Sequence, residues 1–455
     1  MFFASASFAQ QRWERNYGGM ADDWGYSVQQ TSDGGYIVAG VTWSFGNDWQ
    51  IYLIKVNASG DTLWTRNYGG AIVSDEGYSV QQTFDGGYIV TGVTQNPVNY
   101  NDQVYLIKIN ATGDTLWSKT YGDTADDYSY SVQQTADLGY IVAGKSNSFG
   151  YYQQVYLIKT DSSGVPLWIK TYGSAGWDDE GYSVQQTTDG GYIVAGVSVA
   201  QAYLVKTNAS GDTLWTKSYG GAGYDDGWSV QQTQDGGYIV AGKTNSFGNS
   251  WQVYLIKTNA SGDTLWTKTY GGADWDWGRS VKQTSDGGYI VAGYSRSFGN
   301  GYQVYLIKTN ASGDTLWTKT YGGSDWEEGY SILQTSDGGY IVAGGSNSFG
   351  GSKQVYLIKT DANGNVGVED NSSGRIKPLT SNLSSSVVPN PFTSFASVPG
   401  RSSERFALYD VSGRKVGVYP GARIGEGLSA GVYFLGPDTR NPQPDTRILR
   451  IVKLK

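Results

Sequence analysis

The sequence predicts an all-β protein, a seven-bladed β-propeller with four-stranded blades followed by a small Ig-like β-sandwich. Three observations predict the propeller. A landmark of the DGGYIVAG type recurs, each copy belongs to a unit of four short strands, and the chain begins with a lone copy of the strand that ends a unit. The seven landmarks begin at Asp33, Asp85, Asp137, Asp189, Asp235, Asp286 and Asp337, at spacings of 52, 52, 52, 46, 51 and 51 residues.

The first unit shows the pattern of strands, which we name a to d in chain order. Alternating segments predict strands at Tyr26–Thr31, Tyr36–Thr42, Gln50–Val56 and Thr62–Asn67. Between them lie an SDGG turn, a longer SFGNDW loop and an NASGD turn, whose Gly, Asn and Asp residues allow positive φ angles. A lone four-stranded sheet leaves its faces uncovered, so we expect the seven sheets to stack around an axis.

The two ends of the repeat region predict that the ring closes. The text WERNYGG from Trp13 matches WTRNYGG from Trp64 and WTKTYGG from Trp266, which are d strands, but no a, b or c strand precedes it. The last unit runs to Asn363-Gly364 and lacks a d strand. We therefore expect the strand at Trp13 to complete the last blade and to remove an exposed sheet edge.

Residues present in every unit are interpreted as architectural, because each blade solves the same packing problem. The d-strand tryptophans are expected to be buried between blades. The second Gln of the QQT text is expected to bond the backbone of a neighbouring blade, because a buried amide needs partners. The tryptophans are Trp13, Trp64, Trp117, Trp168, Trp215, Trp266 and Trp317.

Composition excludes several classes of function. The chain has no Cys and no His, so thiol chemistry, thiolate metal sites and histidine general bases are absent. The formal net charge of -8 argues against a nucleic-acid partner, and no apolar run is long enough for a membrane span. Residues 1–10 resemble the end of a secretory signal, which predicts an exported protein, although an ordinary N-terminal extension is the alternative.

The repeat unit resembles bacterial secreted β-propeller repeats, in which a DGGYIVAG-like strand pair precedes an LIKTDxxGxxLW-like pair. The resemblance covers residues 11–366 and implies the fold without implying an activity. The c–d turn is also similar to the Trp-docking segment of quinoprotein propellers and to the SxDxGxTW box of sialidases. In Asn208–Trp215, however, the Asx residue lies three positions before Gly instead of two, so neither activity transfers.

The composition changes after the repeats. Residues 367–386 read as a Ser/Asn-rich linker, and residues 387–455 carry an NPF text, LYDVSGRKV, LSAGVYFL and a basic-apolar last strand. This order is similar to the C-terminal sorting domain of type IX secretion, which implies a small Ig-like sandwich read by the export machinery and a secreted or outer-surface protein. A polar insertion at residues 437–447 departs from the pattern, and a plain adhesive sandwich is the alternative.

One face of the predicted propeller concentrates the chemistry. The d–a and b–c connections emerge together there, whereas the opposite face carries short SDGG and NASGD turns. A carboxylate recurs four residues before each Ser-Val or Ser-Ile pair, at Asp23, Asp75, Asp127, Asp179, Asp225, Asp276 and Glu327. Aromatic residues accompany it at Trp24, Tyr128, Trp177, Tyr224, Trp275, Trp277 and Trp326, and in the b–c loops at Trp43, Trp49, Tyr100, Tyr152, Trp251 and Tyr302.

Carboxylates and amides beside aromatic rings predict carbohydrate binding, because acceptors take hydroxyl protons and a ring covers the apolar C–H face of a sugar. Shallow sites around a ring would give avidity for a polymer. The alternatives are that the carboxylates only fix the d–a turns, or that the face binds a surface protein. No calcium loop, cofactor motif or nucleophile–base pair is recognisable, so we expect no metal or cofactor and a non-catalytic binding role. A structural surface scaffold and a polysaccharide-degrading enzyme are the remaining alternatives. The departures from the repeat include Arg279 and Lys282 in the sixth unit.

Overall fold

The computed structural model describes residues 12–367, except 47, 71, 72, 151, 175, 249, 300 and 350. It also describes 405–409, 415–420, 423, 424, 426, 428, 429, 431–437 and 449–453. The predicted signal segment and linker lie outside the described residues, apart from residue 367. The chain divides after Glu369 into two units.

The first unit is built from short antiparallel strands. In chain order they are β1 (Trp13–Tyr17), β2 (Asp23–Gln30), β3 (Tyr36–Thr42), β4 (Gln50–Val56), β5 (Thr62–Tyr68), β6 (Asp75–Gln82), β7 (Tyr88–Gln95), β8 (Asp102–Ile109), β9 (Thr115–Tyr121), β10 (Asp127–Gln134), β11 (Tyr140–Ser146), β12 (Gln154–Thr160), β13 (Pro166–Tyr172), β14 (Asp179–Gln186), β15 (Tyr192–Ser198), β16 (Gln201–Thr207), β17 (Thr213–Tyr219), β18 (Asp225–Gln232), β19 (Tyr238–Thr244), β20 (Gln252–Thr258), β21 (Thr264–Tyr270), β22 (Asp276–Gln283), β23 (Tyr289–Ser295), β24 (Gln303–Thr309), β25 (Thr315–Tyr321), β26 (Glu327–Gln334), β27 (Tyr340–Ser346) and β28 (Gln354–Thr360). Consecutive groups of four from β2 onward form six blades, and the seventh has the order β1–β28–β27–β26.

Closure of the ring by the N-terminal strand is confirmed. Strand β1 pairs antiparallel with β28, with Trp13 opposite Lys359 and Tyr17 opposite Val355. The innermost strand of the first blade starts at Asp23, three residues earlier than predicted, because a bulge between Gly25 and Ser27 lets the pairing with β3 continue. It ends at Gln30, one residue earlier than predicted, and the outermost strand extends one residue further, to Tyr68.

The core lies between neighbouring blades. All seven residues of β3 and all seven of β4 are buried. Residues from the two sides of each interface form one hydrophobic cluster, such as Val38 and Ile54 of the first blade with Ile341 and Leu357 of the seventh. Each sheet therefore covers the face of the next, as the repeat pattern predicts.

The WxxxY motif of each d strand connects its blade to the following one. Trp13 packs against Gly60 in the c–d turn of the first blade and donates its indole N–H to the Ala58 carbonyl at 3.0 Å. The Tyr17 hydroxyl donates to the Gly60 carbonyl at 2.7 Å. The other six blade pairs repeat the tyrosine bond, at 2.5 to 2.7 Å. Trp13 is buried and the other six tryptophans are half-buried, so these residues pack between blades as architectural residues but less deeply than the sequence predicts.

The innermost strands surround a central channel and bond to one another. The second Gln of each QQT text accepts an N–H from the a–b turn of the preceding blade, which confirms the expected role. A serine on each a strand also accepts a backbone N–H of the following blade, at 3.2 to 3.3 Å in all seven cases. These contacts fix the a strands in register around the axis.

The second unit has four described strands in one antiparallel sheet. They are β29 (Arg405–Tyr409), β30 (Lys415–Pro420), β31 (Gly431–Pro437) and β32 (Leu449–Lys453), in the order β30–β29–β31–β32. Phe406, Ala407 and Leu408 of β29 are buried. Strand β29 contains the first two residues of LYDVSGRKV, β31 contains GVYFL, and β32 is the predicted last strand, whereas the NPF motif lies outside the described residues.

Candidate binding face

The register brings the d–a and b–c loops to one end of every blade. In the first blade Asp23, the first residue of strand a, lies opposite Thr42, the last residue of strand b, and Thr42 also pairs with Gln50 at the start of strand c. The loops touch directly, because the Trp43 amide donates to the Asp22 carbonyl at 2.9 Å. We call this end the loop face.

The seven repeated carboxylates lie beneath the surface of the loop face. Each has no exposed surface and is the first residue of an a strand. Each accepts a backbone N–H from the preceding d–a turn, at 2.7 to 3.1 Å. Five also accept a serine hydroxyl from the b–c region of the same blade. In this position the carboxylates stabilise the two loops, so the aromatic candidates are the ones that reach the surface.

The glycine that follows the d-strand tyrosine makes room for the carboxylate. At Gly271, φ is +142°, and a Cβ atom there would lie 2.2 Å from Oδ2 of Asp276. The other six units have the same arrangement, with φ between +132° and +151°. Burial raises the pKa of Asp276 despite its hydrogen bonds to Ser295, Gly272 and Ser297. The glycine directly after the d-strand tyrosine is therefore a steric requirement of the buried carboxylate.

Aromatic rings form a continuous chain across the loop face of the fifth to seventh blades. Successive ring centroids lie 5.9, 6.4, 5.1, 5.5 and 4.9 Å apart. We call this chain the aromatic arc; it consists of Tyr224, Trp251, Trp277, Tyr294, Tyr302 and Trp326. Its two ends, Tyr224 and Trp326, are 40% and 43% exposed, whereas Tyr294 is buried. The arc therefore exposes aromatic rings to solvent at its ends, and each ring is positioned by packing against its neighbours.

Cations brace the arc and are balanced by buried acids. The Lys243 ammonium lies 4.0 Å from the Trp277 ring centroid and 4.5 Å from that of Trp251, and it pairs with Asp226 at 3.5 Å. Burial raises the pKa of Asp226 to about 6, although Lys243 opposes the change. These contacts hold the arc in one conformation without leaving Lys243 uncompensated.

A second cation extends the arc to the first blade. The Lys353 ammonium lies 3.2 Å from the Trp24 ring centroid and 5.4 Å from that of Trp326, and it pairs with Glu328 at 3.5 Å. Trp24 therefore joins the arc through a cation rather than through a ring contact.

A small cavity opens beside the arc. It has a volume of about 290 Å³ and is lined by Trp251, Trp275, Asn245, Gly248 and Ser250. Trp275 is 41% exposed. Oδ1 of Asn245 accepts the Tyr224 amide at 2.6 Å, and no hydrogen bond among the described residues uses its Nδ2. The cavity therefore combines two indole rings with amide and hydroxyl groups.

The remaining aromatic candidates lie apart from the arc. Trp49 packs edge-on against Trp43 at 5.0 Å in the first blade, and Tyr128 lies under the ammonium of Lys145 at 5.0 Å. Trp177 is 57% exposed and has no ring contact among the described residues. The structure thus brings together Trp24, Trp251, Trp275, Trp277, Tyr302 and Trp326, and separates Trp49, Tyr128 and Trp177 from them.

Sequence reasoning missed Tyr294, Lys243 and Lys353, which connect or brace the arc. The first two lie near the end of a b strand, where the first blade has Val41. The available signal was that this position varies between blades, with Val41 in the first, Lys243 in the fifth and Tyr294 in the sixth.

Three of the solved structures that are similar to this chain have TM-scores below 0.5. The chain is similar to virginiamycin B lyase from Staphylococcus aureus, with 13% identity and a TM-score of 0.47 over 76% of this chain and 99% of that one. It is similar to PorZ, a surface component of the type-IX secretion system of Porphyromonas gingivalis, with 12% identity, a TM-score of 0.44 and coverage of 96% and 60%. It is also similar to the extracellular domain of BT4673 from B. thetaiotaomicron, with 11% identity and a TM-score of 0.44 over 99% of this chain and 60% of that one.

No protein-family model matches the chain, and no curated protein matches it. No helix in the described part of the chain is long and apolar enough to cross a membrane.

Proposed function

We propose that the loop face binds carbohydrate without catalysis, and that the aromatic arc and the adjoining cavity form the site. The observation that carries the proposal is the cavity of about 290 Å³ between Trp251 and Trp275, which opens beside a chain of six rings. Indole faces cover the C–H patches of a pyranose, while the amide of Asn245 and the hydroxyl of Ser250 suit its hydroxyl groups.

The arc supports recognition of a polymer more than of a single sugar. Its rings span three consecutive blades and continue to Trp24 of the first blade across Lys353. Several ring contacts made by one ligand add avidity when the ligand extends along them. The paired charges of Lys243 with Asp226, and of Lys353 with Glu328, leave a surface dominated by rings and hydrogen-bonding groups.

The arc also offers polar groups without protein partners. The indole N–H of Trp277 and Oδ1 of Asp226 are buried and have no hydrogen bond among the described residues. A buried donor or acceptor left unpaired costs free energy, and a hydroxyl-bearing ligand or water would satisfy it. Both atoms have almost no exposed surface, so a buried water is the partner that suits them, and the sugar proposal rests on the exposed rings and the cavity.

A glycan array with the full-length protein tests the proposal, followed by titration of each hit against Trp275→Ala. We expect Trp275→Ala to weaken binding roughly ten- to a hundredfold, because removing a stacked indole costs about 1.5–3 kcal/mol of buried apolar contact. Trp275 is 41% exposed, so its truncation should leave the fold intact.

Trp177→Ala is the matched control. Trp177 lies in the corresponding d–a loop of the fourth blade and is 57% exposed. It makes no ring contact with the arc among the described residues. Equal loss in both variants, or no effect of Trp275→Ala on a glycan hit, would contradict a site on the arc. If no glycan on the array binds, and a protein partner binds in a way that Trp275→Ala weakens, the loop face would instead be a protein-binding surface.

We propose further that residues 387–455 direct export through a type IX pathway to the outer surface or the medium. The support is the order of the NPF, LYDVSGRKV and LSAGVYFL texts, together with the β29–β31 pairing of the latter two. Expression of the full chain and of a chain ending at residue 386, in a bacterium that has this pathway, tests the proposal. Surface delivery of both forms would contradict it.

A further inference from the structure

The central channel contains a layer in which hydrogen-bond donors outnumber acceptors. The channel has a volume of about 550 Å³, within the roughly 300–1,000 Å³ typical of small-molecule sites. Its layer near the a–b turns is formed by the first residue of each QQT text or its replacement. These residues are Gln29, Gln81, Gln133, Gln185, Gln231, Lys282 and Leu333.

The glutamines of this layer use their oxygens in the ring itself. Oε1 of Gln81 accepts the backbone N–H of Gln134 in the next blade at 2.5 Å, and Oε1 of Gln231 accepts that of Gln283 at 2.7 Å. Gln29, Gln133 and Gln185 make the same bond. No hydrogen bond among the described residues uses the five side-chain NH₂ groups, so the amides present donors to the channel.

The sixth and seventh blades interrupt this bonding. Lys282 and Leu333 replace the glutamine, and neither side chain has an acceptor atom. The backbone N–H groups of Gln334 and Gln30 therefore lack the bond that the other five blades make. At the boundary between blades six and seven, an ammonium group replaces the amide oxygen.

The charge of Lys282 has no compensating carboxylate among the residues that the structure describes. Lys282 lines the channel, is half-buried, and forms no ion pair or hydrogen bond with the described residues. Burial lowers its pKa, and no carboxylate opposes that effect. Arg279, on the same strand, also lines the channel; its guanidinium stacks on Trp228 at 3.7 Å, and its Nε has no partner among the described residues. The channel thus carries two cations on one strand.

We propose that the channel binds a small oxyanion, held by Lys282, the backbone N–H of Gln334 and the glutamine NH₂ groups of the same layer. The ligand class is a compact anion with several acceptor oxygens, such as a phosphate or a small polycarboxylate. An oxygen at the place of the missing amide oxygen would accept from both the ammonium and the Gln334 N–H. Charge-assisted bonds of this kind are stronger than neutral ones. This site is separate from the aromatic arc and does not depend on the proposed carbohydrate function.

Calorimetric titration of the full-length protein with inorganic phosphate and with citrate tests the site. Acetamide is the neutral control, and the expected result is saturable binding of at least one oxyanion and none of acetamide. Tighter binding of phosphate or of citrate would show which oxygen arrangement the layer accepts, and either order supports the site. Absence of binding by both oxyanions would overturn the proposal.

Lys282→Gln is the decisive variant, because it installs the residue that five other blades carry. We expect oxyanion binding to weaken at least about tenfold, or about 1.4 kcal/mol. The unliganded variant should melt no lower than the wild type, because the amide can restore the bond to Gln334. Lys282→Met removes the charge without adding an acceptor and should weaken binding too.

The matched control is Lys268→Gln, which removes a lysine charge from an outer strand, where Lys268 pairs with Asp314 at 3.3 Å. It should bind oxyanions like the wild type. Unchanged affinity in both Lys282 variants would refute the assignment. Equal weakening in Lys268→Gln would also refute it, because the effect would then follow net charge instead of the channel.

Discussion

Replacing Trp13 by Ala measures how strongly the N-terminal strand closes the ring. Trp13 is 7% exposed, packs with Tyr36 and Tyr52 of the first blade, and donates a hydrogen bond to the Ala58 carbonyl. Truncating a buried tryptophan costs about 3–5 kcal/mol, so we expect a loss of about 4 kcal/mol. At about 2.1 cal/mol/K per residue over residues 12–367, the unfolding entropy is roughly 0.7 kcal/mol/K. The Tm should therefore fall by about 5 °C.

Differential scanning calorimetry of Trp13→Ala and Trp215→Ala makes the comparison. Trp215 packs on Gly262 as Trp13 packs on Gly60, but it lies inside a continuous blade. Both variants should lower the Tm, Trp13→Ala by the larger amount, because Trp215 is only half-buried. If Trp215→Ala lowers the Tm and Trp13→Ala leaves it unchanged, the strand at Trp13 does not contribute to the seventh blade, and the reasoning from closure is wrong.

Two further predictions concern the loop face. In urea unfolding, Gly271→Ala should lower the free energy of unfolding more than Gly287→Ala does. Both glycines have a positive φ, but only at Gly271 would the new Cβ collide with a carboxylate. Equal losses in the two variants would contradict the steric role. Asp226→Asn should remove a pH dependence of stability. The pKa of Asp226 is about 6 in the folded protein, above its usual value near 4, so its stabilising contribution is fully present below about pH 4 and lost as the pH rises through 6. The stability difference between wild type and Asp226→Asn should change by on the order of 2 kcal/mol between pH 4 and 7, and a constant difference would refute the raised pKa.

The repeat made the architecture predictable from the sequence. A displaced d strand such as that at Trp13 has one natural partner, the unfinished last unit, and the pairing with Lys359 follows from it. The role of the second Gln was also predictable, because a residue kept in every blade must satisfy a contact that every blade makes.

The depth of the carboxylates and the continuity of the arc were not predictable in the same way. Asp23 becomes part of a strand because a bulge shifts the register, and a bulge leaves little trace in a Gly-rich sequence. The arc depends on Tyr294, a b-strand residue that aligns with core valine positions. Lys282 was recognisable from the sequence as a replacement of the repeated glutamine. Its consequence became clear only from the structure, which shows that this glutamine accepts a backbone N–H of the next blade.

A crystal structure of the full-length protein with a glycan identified on the array is the most direct test of the proposed binding face. Sugar rings should stack on Trp251 and Trp275, with the glycan chain following the arc toward Trp326. Sugar bound at the SDGG and NASGD turns, with the arc unoccupied, would contradict it.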